Sequence, residues 1–221
     1  MMHFYLLIKK IKTYLILLSC FFVVATIFLI ALGKDGSFLW LNQYHNNWMD
    51  LFFSKYTFFG DGLFAVLLSV ILFFFIKTQR LSMILLSAYI VSGLLAQLLK
   101  RLFNAPRPKA FFTPEQYNKF VDGVTVANSH SFPSGHTTTA FGMAIILAYF
   151  TSNKYLQSIF FILALTAGFS RIYLGQHFLT DVLAGAILGS FISLCAILIS
   201  NSIPNQKPVQ LLQHKKSNQN G

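Results

Sequence analysis

Long apolar stretches separated by short polar segments dominate the chain. Six of them approach about 20 residues, the length that a helix needs to cross the hydrocarbon core of a bilayer. They lie at Tyr14–Leu32, Thr57–Ile76, Leu81–Leu99, Thr137–Phe150, Tyr155–Leu174 and Val182–Ser200. The fourth stretch is short, so we expect it to begin within protein rather than at the lipid surface. The pattern predicts an all-α fold, an integral membrane bundle of six transmembrane helices in one domain over residues 1–200.

The connector after the first span has an amphipathic pattern of its own. Between Phe38 and Tyr56, large apolar residues recur at helical spacing, and Asn, Gln and Asp fill the opposite face. Together with Trp40, Tyr44 and Trp48, this pattern predicts a helix that lies in the membrane interface. An ordinary amphipathic connector packed against the bundle is the alternative.

Composition agrees with a membrane location. Hydrophobic residues make up 55% of the chain and charged residues only 10%, whereas soluble domains carry about 25% charged residues. The formal net charge is +11, from 17 Lys and Arg against 6 Asp and Glu. Such an excess suits nucleic acid or an anionic membrane surface, and the apolar content favours the membrane as partner and argues against nucleic acid.

The charges also predict an orientation. With the N-terminus inside, the inner segments hold nine basic residues and no acidic one, and the outer segments hold eight basic residues and all six acids. The positive-inside rule counts basic residues. The excess of basic residues on the inner side grows when Lys100, Arg107 and Arg171, which lie outside, are set aside as members of a binding site. Both termini are therefore predicted to be cytoplasmic, with residues 201–221 forming a polar, mobile tail.

Three clusters of ionisable and polar residues interrupt the apolar pattern. Such residues near membrane segments are costly and commonly mark function. The clusters are Lys100 to Arg107-Pro108, then Pro133-Ser134-Gly135-His136, and then Ser170-Arg171 with His177 and Asp181. In the predicted topology all three fall at the outer ends of spans three to six, so they are expected to form one site.

Five of these residues have the chemistry of a phosphate site. Arg107 lies between two prolines that hold the backbone extended, which prepares its guanidinium for bidentate contact with phosphate or carboxylate. Lys100 and Arg171 add two further cations. Ser134 and Gly135 precede the fourth span, where free helix amides favour an anion, and Ser134 can also cap that helix.

The histidines add reactive groups to this site. His177 and Asp181 are four residues apart, so on a helix the carboxylate would accept a proton from one imidazole nitrogen and leave the other as nucleophile or base. His136 is then free to act as a general acid. These residues leave open whether His177 attacks phosphorus or activates water. Three nearby cations disfavour a zinc ion held by the histidines and Asp181, so no metal or cofactor is predicted.

The three clusters resemble the signature motifs of the type 2 phosphatidic acid phosphatase superfamily. The motifs are Lys, six residues, Arg-Pro; then Pro-Ser-Gly-His; then Ser-Arg, five residues, His, three residues, Asp, and all are matched without a departure. The resemblance implies metal-independent hydrolysis through a phosphohistidine on His177, with His136 as proton donor and Asp181 orienting His177. It also implies that Lys100, Arg107, Ser134, Gly135 and Arg171 bind phosphate.

The predicted function is therefore hydrolysis of a lipid phosphate or diphosphate at the outer face of a bacterial inner membrane. A headgroup anchored in the bilayer arrives at that depth already oriented. Undecaprenyl diphosphate or a phospholipid phosphate is the favoured substrate, and a lipid A phosphate is the alternative. A non-enzymatic anion-binding or transport protein would not need the His177–Asp181 pair, and the centres of the six spans offer no polar pathway.

Overall fold

The computed structural model describes residues 2–203, and within that range it contains helices and no strand. Most of the predicted tail, residues 204–221, lies outside the described residues. The helices are α1 (Met2–Lys10), α2 (Lys12–Leu41), α3 (Asn47–Tyr56), α4 (Gly62–Val70), α5 (Gln79–Phe103), α6 (Pro108–Phe111), α7 (Gly135–Tyr149), α8 (Lys154–Tyr173) and α9 (Leu179–Ser202). A 3₁₀ turn, Thr57–Gly60, precedes α4, and a π-helical turn, Ile71–Phe75, follows it. The all-α prediction is confirmed.

Four of these helices, α2, α5, α8 and α9, are long and apolar enough to cross a membrane. The segments Asn47–Gly60 and Gly62–Phe75 pass the same test only as a pair, which is bent by 57°. Helix α7 has 15 residues, about 22 Å at 1.5 Å per residue, against a hydrocarbon core of about 30 Å. The predicted count of six spans is therefore not confirmed, although all six apolar stretches lie on helical segments.

Helix α7 forms the centre of the bundle. Eleven of its 15 residues are buried, and it packs against α5, α8 and α9. Two threonines in its first turns donate their hydroxyls to backbone carbonyls, Thr138 to Ser134 at 2.9 Å and Thr139 to Gly135 at 3.1 Å. Because protein surrounds α7, its polar groups are satisfied internally and it does not need the length of a lipid-facing span.

Two glycines on α9 allow it to approach α7 closely. A Cβ at Gly185 would lie 2.6 Å from the carbonyl oxygen of Ser134, and one at Gly189 would overlap the carbonyl of Thr138. Small residues four apart permit backbone-to-backbone packing of membrane helices. The Ser134 amide donates to the carbonyl of Asp181 at 3.0 Å, so this contact also fixes the beginning of α7 against the beginning of α9.

The first connector differs in detail from the predicted interfacial helix. Helix α2 continues through a break at Gly33, where φ is 71°, as far as Leu41, and α3 begins only at Asn47. Tyr44 and Trp48 are 74% and 71% exposed. The bundle therefore leaves the aromatic face of the connector uncovered, which favours the interfacial interpretation over packing on the bundle.

The close contact of α7 with α9 leads to a stability prediction. We expect Gly189→Ala to lower the free energy of unfolding by about 2 kcal/mol or more, because the added methyl group meets a backbone carbonyl that has no room to move. Reversible unfolding in detergent, followed by circular dichroism, measures this change.

Gly93→Ala on α5 is the matched control. A Cβ there meets no atom within 4 Å, and alanine favours a helix over glycine by about 0.5–1 kcal/mol, so this variant should be as stable as the original or slightly more so. Equal stability of the Gly189→Ala protein and the original protein would contradict the close contact.

Candidate active site

The eight residues predicted to form a site lie at one end of the bundle. Helices α5 and α8 end there, and α7 and α9 begin there, so residues far apart in sequence share one region. The residues are Lys100, Arg107, Ser134, Gly135, His136, Arg171, His177 and Asp181. Four of the side chains that act electrostatically on His136, namely Lys100, Arg107, Arg171 and His177, come from α5, the loop after it, α8 and the α8–α9 connection.

Asp181 is held against His177 by fixed donors. Its Oδ2 atom lies 3.5 Å from His177 Nδ1, and it accepts hydrogen bonds from the Ser131 hydroxyl at 2.5 Å and the Phe178 amide at 2.9 Å. The Ser131 hydroxyl also lies 3.4 Å from His177 Nδ1. The carboxylate therefore occupies the Nδ1 side of the imidazole and leaves Nε2 to face a reacting group.

One detail of this pair differs from the prediction. The sequence spacing suggested two residues on one helical face, but α9 begins only at Leu179, so His177 lies before the helix. The reason is that Asp181, in the first turn, accepts the Phe178 amide as a capping carboxylate does. The contact between His177 and Asp181 is thus made across the helix N-terminus.

Burial sets the charge of His177. The residue is only 1% exposed, and this desolvation lowers the pKa of His177 to about 3, although Asp181 acts in the opposite direction. The ring is therefore neutral near pH 7. A neutral imidazole keeps a lone pair on one nitrogen, which both a nucleophile and a base require.

Arg107 is fixed by neutral oxygen atoms. Its Nε donates to the carbonyl of Ser129 at 3.0 Å, and Nη1 donates to the side-chain oxygen of Gln176 at 2.7 Å. The side-chain Nε2 of Gln176 in turn donates to the carbonyl of Thr125 at 2.8 Å. Gln176 directly precedes His177, so its hydrogen bond holds the Arg107 guanidinium near the histidine. Because Gln176 is neutral, the guanidinium keeps its positive charge.

Arg171 is the most buried of the three cations, at 8% exposure. Its Nη1 donates to the Thr57 hydroxyl at 2.6 Å, whereas its Nε finds no hydrogen-bond partner in the described part of the chain. A buried guanidinium donor without a partner is costly. An anionic oxygen in the site would remove that cost. The Arg171 carbonyl also accepts the His177 amide at 3.1 Å, so the two residues are held together.

The beginning of α7 has the features of an anion site. Ser134 is fully buried and caps the helix, because its hydroxyl accepts hydrogen bonds from the Thr137 backbone amide at 3.4 Å and from the Thr137 hydroxyl at 2.8 Å. The first amides of a helix, here those of Gly135 and His136, have no partner within the helix. A Cβ at Gly135 would lie 3.9 Å from Lys100 Nζ, so the lysine reaches the same helix end.

His136 is more accessible than His177 and has a different carboxylate. Its side chain is 28% exposed, and its Nε2 atom lies 3.5 Å from Oδ2 of Asp61. Burial, followed by the nearby cations Arg171, Lys100 and Arg107, lowers the pKa of His136. The site thus contains two histidines, one buried beside Asp181 and one part-exposed beside Asp61.

Four side chains in the site were not predicted. Ser131 and Gln176 stand directly beside the second and third clusters in the sequence, and that proximity was a signal that they contact the site. Thr57 and Asp61 carry no comparable signal, because they lie about 40 residues before the first cluster. Their contacts with Arg171 and His136 arise only from the packing of the bent segment onto α7 and α8.

The fold and the site together define an all-helical membrane protein in which three cations lie near a buried histidine–aspartate pair. Residues 81–204 match the family model of the PAP2 superfamily. The undecaprenyl-diphosphatase of Sulfolobus acidocaldarius is 28% identical over 76% of this chain and 77% of its own length. The lipid A 1-phosphatase of Rhizobium etli is 32% identical over 65% of this chain and 68% of its own.

A solved structure agrees with these sequence relatives. The crystal structure of Aquifex aeolicus LpxE superposes with a TM-score of 0.66 and 29% identity, over 74% of this chain and 94% of that one. The chain belongs to the PAP2 superfamily. It is a membrane phosphatase that acts on phosphate ester or diphosphate bonds.

The site leads to a prediction about metals. In residues 2–203 no three His, Cys, Asp or Glu side chains are grouped so that they could hold an ion, and the three cations of the site could neutralise a phosphate without one. We expect phosphate release by the purified protein to continue at an unchanged rate after dialysis against EDTA. Loss of activity with EDTA that zinc or magnesium restores would contradict a site that uses side-chain cations alone.

Proposed function

We propose that the protein removes phosphate from a membrane lipid phosphate or diphosphate through a covalent phosphohistidine on His177. The observation that carries this proposal is the buried, neutral His177, held by Asp181 and faced by the cations Lys100, Arg107 and Arg171. Cations alone would suit any anion-binding protein. The paired histidine adds a nucleophile that binding does not require.

The first role is to bind and polarise the phosphate. Lys100, Arg107 and Arg171 neutralise its charge, and the free Nε of Arg171 donates to one of its oxygens. The amides at the beginning of α7, next to Gly135, receive a second oxygen. Ser134 caps α7 and so holds these amides in place. Because these donors are already fixed, little reorganisation is needed when charge builds up on the five-coordinate phosphorus.

The second role is phosphoryl transfer in two steps. His177 Nε2 attacks phosphorus while Asp181 holds the Nδ1 proton, and the bond to the lipid oxygen breaks. His136 gives a proton to that oxygen, so the lipid leaves as an alcohol or as a phosphate ester. In the second step His136 accepts a proton from water, the resulting hydroxide attacks the phosphohistidine, and inorganic phosphate leaves with His177 regenerated.

An apolar cavity beside the site supports a lipid as substrate. It has a volume of about 340 Å³ and lies between α4, α7 and α8, with Tyr56, Phe59, Ala140 and Ala167 in its lining. Tyr56 precedes Thr57 directly, Ala140 lies one turn after His136, and Ala167 lies one turn before Arg171. An acyl or prenyl chain in this cavity would therefore place its phosphate at the cations.

The relatives indicate which lipids to test. Proteins similar to this chain are an undecaprenyl-diphosphatase and lipid A phosphatases. We propose undecaprenyl diphosphate or a phospholipid phosphate as substrate, with a lipid A phosphate as the alternative, at the outer face of a bacterial inner membrane and with both termini in the cytoplasm. Phosphate release from a panel of these lipids in detergent micelles distinguishes them, and release from none of them would contradict a lipid substrate.

The nucleophile has a direct test. Rapid quenching of a single turnover with ³²P-labelled substrate in alkaline SDS should trap phosphate on His177 that is stable in alkali and released by acid, and His177→Ala should abolish turnover. Asp181→Asn should retain the fold but slow formation of the adduct, because the imidazole loses its charged partner. A His177→Ala protein with a near-normal rate would refute the scheme.

The orientation is tested separately by thiol labelling. In a background without Cys20 and Cys195, we expect Lys109→Cys and Thr125→Cys to react with a membrane-impermeant reagent added to intact cells. Gln79→Cys and Asn153→Cys should react only after the cells are lysed. The reverse pattern would place the site on the inner side of the membrane.

A further inference from the structure

The bend between Asn47–Gly60 and Gly62–Phe75 forms a wall of the site. Thr57 accepts a hydrogen bond from Arg171, a Cβ at Gly60 would lie 2.9 Å from the backbone oxygen of His136, and Asp61 faces the ring of His136. Three residues within five thus contact the site. All of them precede the region that matches the PAP2 family model, which begins at residue 81.

The two carboxylate oxygens of Asp61 have separate partners. Oδ1 accepts the Leu63 amide at 2.8 Å and so caps α4, while Oδ2 lies 3.5 Å from His136 Nε2. Helix capping alone would not require an acid, because asparagine caps as well as aspartate does. The cap instead fixes the carboxylate in front of the imidazole.

The surroundings of His136 explain why a carboxylate matters there. A general acid must carry its proton when the leaving oxygen departs. Burial and the groups contributed by the other elements, which are Arg171 from α8, His177 from the α8–α9 connection, Lys100 from α5 and Arg107 from the following loop, all lower the pKa of His136, and none of these four groups is negative. Asp181 is already bound to His177. In residues 2–203, Asp61 is the carboxylate paired with His136.

We propose that Asp61 is a positioning residue for His136, holding the imidazole and stabilising its protonated form so that it can donate to the leaving lipid oxygen. This inference rests on the proposed role of His136 as proton donor. Asp61 does not contact phosphorus. Its effect is therefore confined to steps in which the proton of His136 moves.

The test is the pH dependence of phosphohistidine formation in Asp61→Asn, measured by rapid quenching. Asparagine keeps the cap of α4 and removes the charge. Without that charge the protonated ring of His136 is less stable, so the alkaline limb of the pH profile with phosphatidate should move to lower pH by about half a unit. At pH values above the limb the rate should fall about threefold. Both figures are on the scale of a part-exposed ion pair. Asp61→Glu should restore the limb.

The second part of the test compares two substrates that differ in their leaving group. Phosphatidate expels an alkoxide and needs the proton, whereas undecaprenyl diphosphate expels a much weaker base. The Asp61→Asn shift should therefore be about half a pH unit with the first substrate and near zero with the second. Asp122→Asn, which changes an exposed acid on the loop before α7, is the matched control and should leave both profiles unchanged.

Three outcomes would overturn the proposal, and they are distinguishable. If His136→Ala loses more rate on phosphatidate than on undecaprenyl diphosphate but Asp61→Asn shifts nothing, the role of His136 stands and that of Asp61 fails. If His136→Ala loses rate equally on both substrates, the proton-donor role fails, and the Asp61 proposal fails with it. A uniform loss in Asp61→Asn that persists in the His136→Ala background would mean that Asp61 is only structural.

Discussion

The close approach of α7 and α9 is the constraint on which the site depends. The backbones meet at Gly185 and Gly189. One turn before Gly185 along α9, the carbonyl of Asp181 accepts a hydrogen bond from the Ser134 amide. The first turn of α7 is thus joined to the carboxylate that holds His177. A side chain at Gly185 would push against Ser134, so a change in packing would separate the proposed phosphate-binding helix end from the proposed nucleophile.

The site also has to keep three cations together near an apolar bundle without neutralising them. Arg107 is held by Ser129 and Gln176, and Arg171 by Thr57, all through neutral oxygens. The carboxylates are used differently, since each of the two in the site lies beside a histidine. The arginines therefore keep their positive charge, and each acid contacts an imidazole. This division suits the proposed chemistry, in which phosphate binds and leaves in each turnover.

The bent segment before α5 extends the site beyond the three motifs. Thr57 and Asp61 belong to the second apolar stretch, which looked from its composition like a plain lipid-facing span. The 57° bend turns its polar residues toward α7 and α8 instead of leaving them at the lipid surface. The same bend lines the apolar cavity beside the cations. One irregular element thereby contributes both to the charged site and to the proposed path of the lipid chain.

The sequence by itself determined the helical class, the membrane location and the three clusters, because hydrophobic run length and the rarity of charge in membranes are local properties. It also placed Lys100 and His136 at the ends of helices, since an apolar run ends next to the first and begins next to the second. The tertiary structure alone decided that α7 is a buried helix, that His177 lies before α9 rather than on it, and that Asp61 meets His136. These features depend on contacts between segments distant in sequence, and the periodicity of a single segment carries no information about its neighbours.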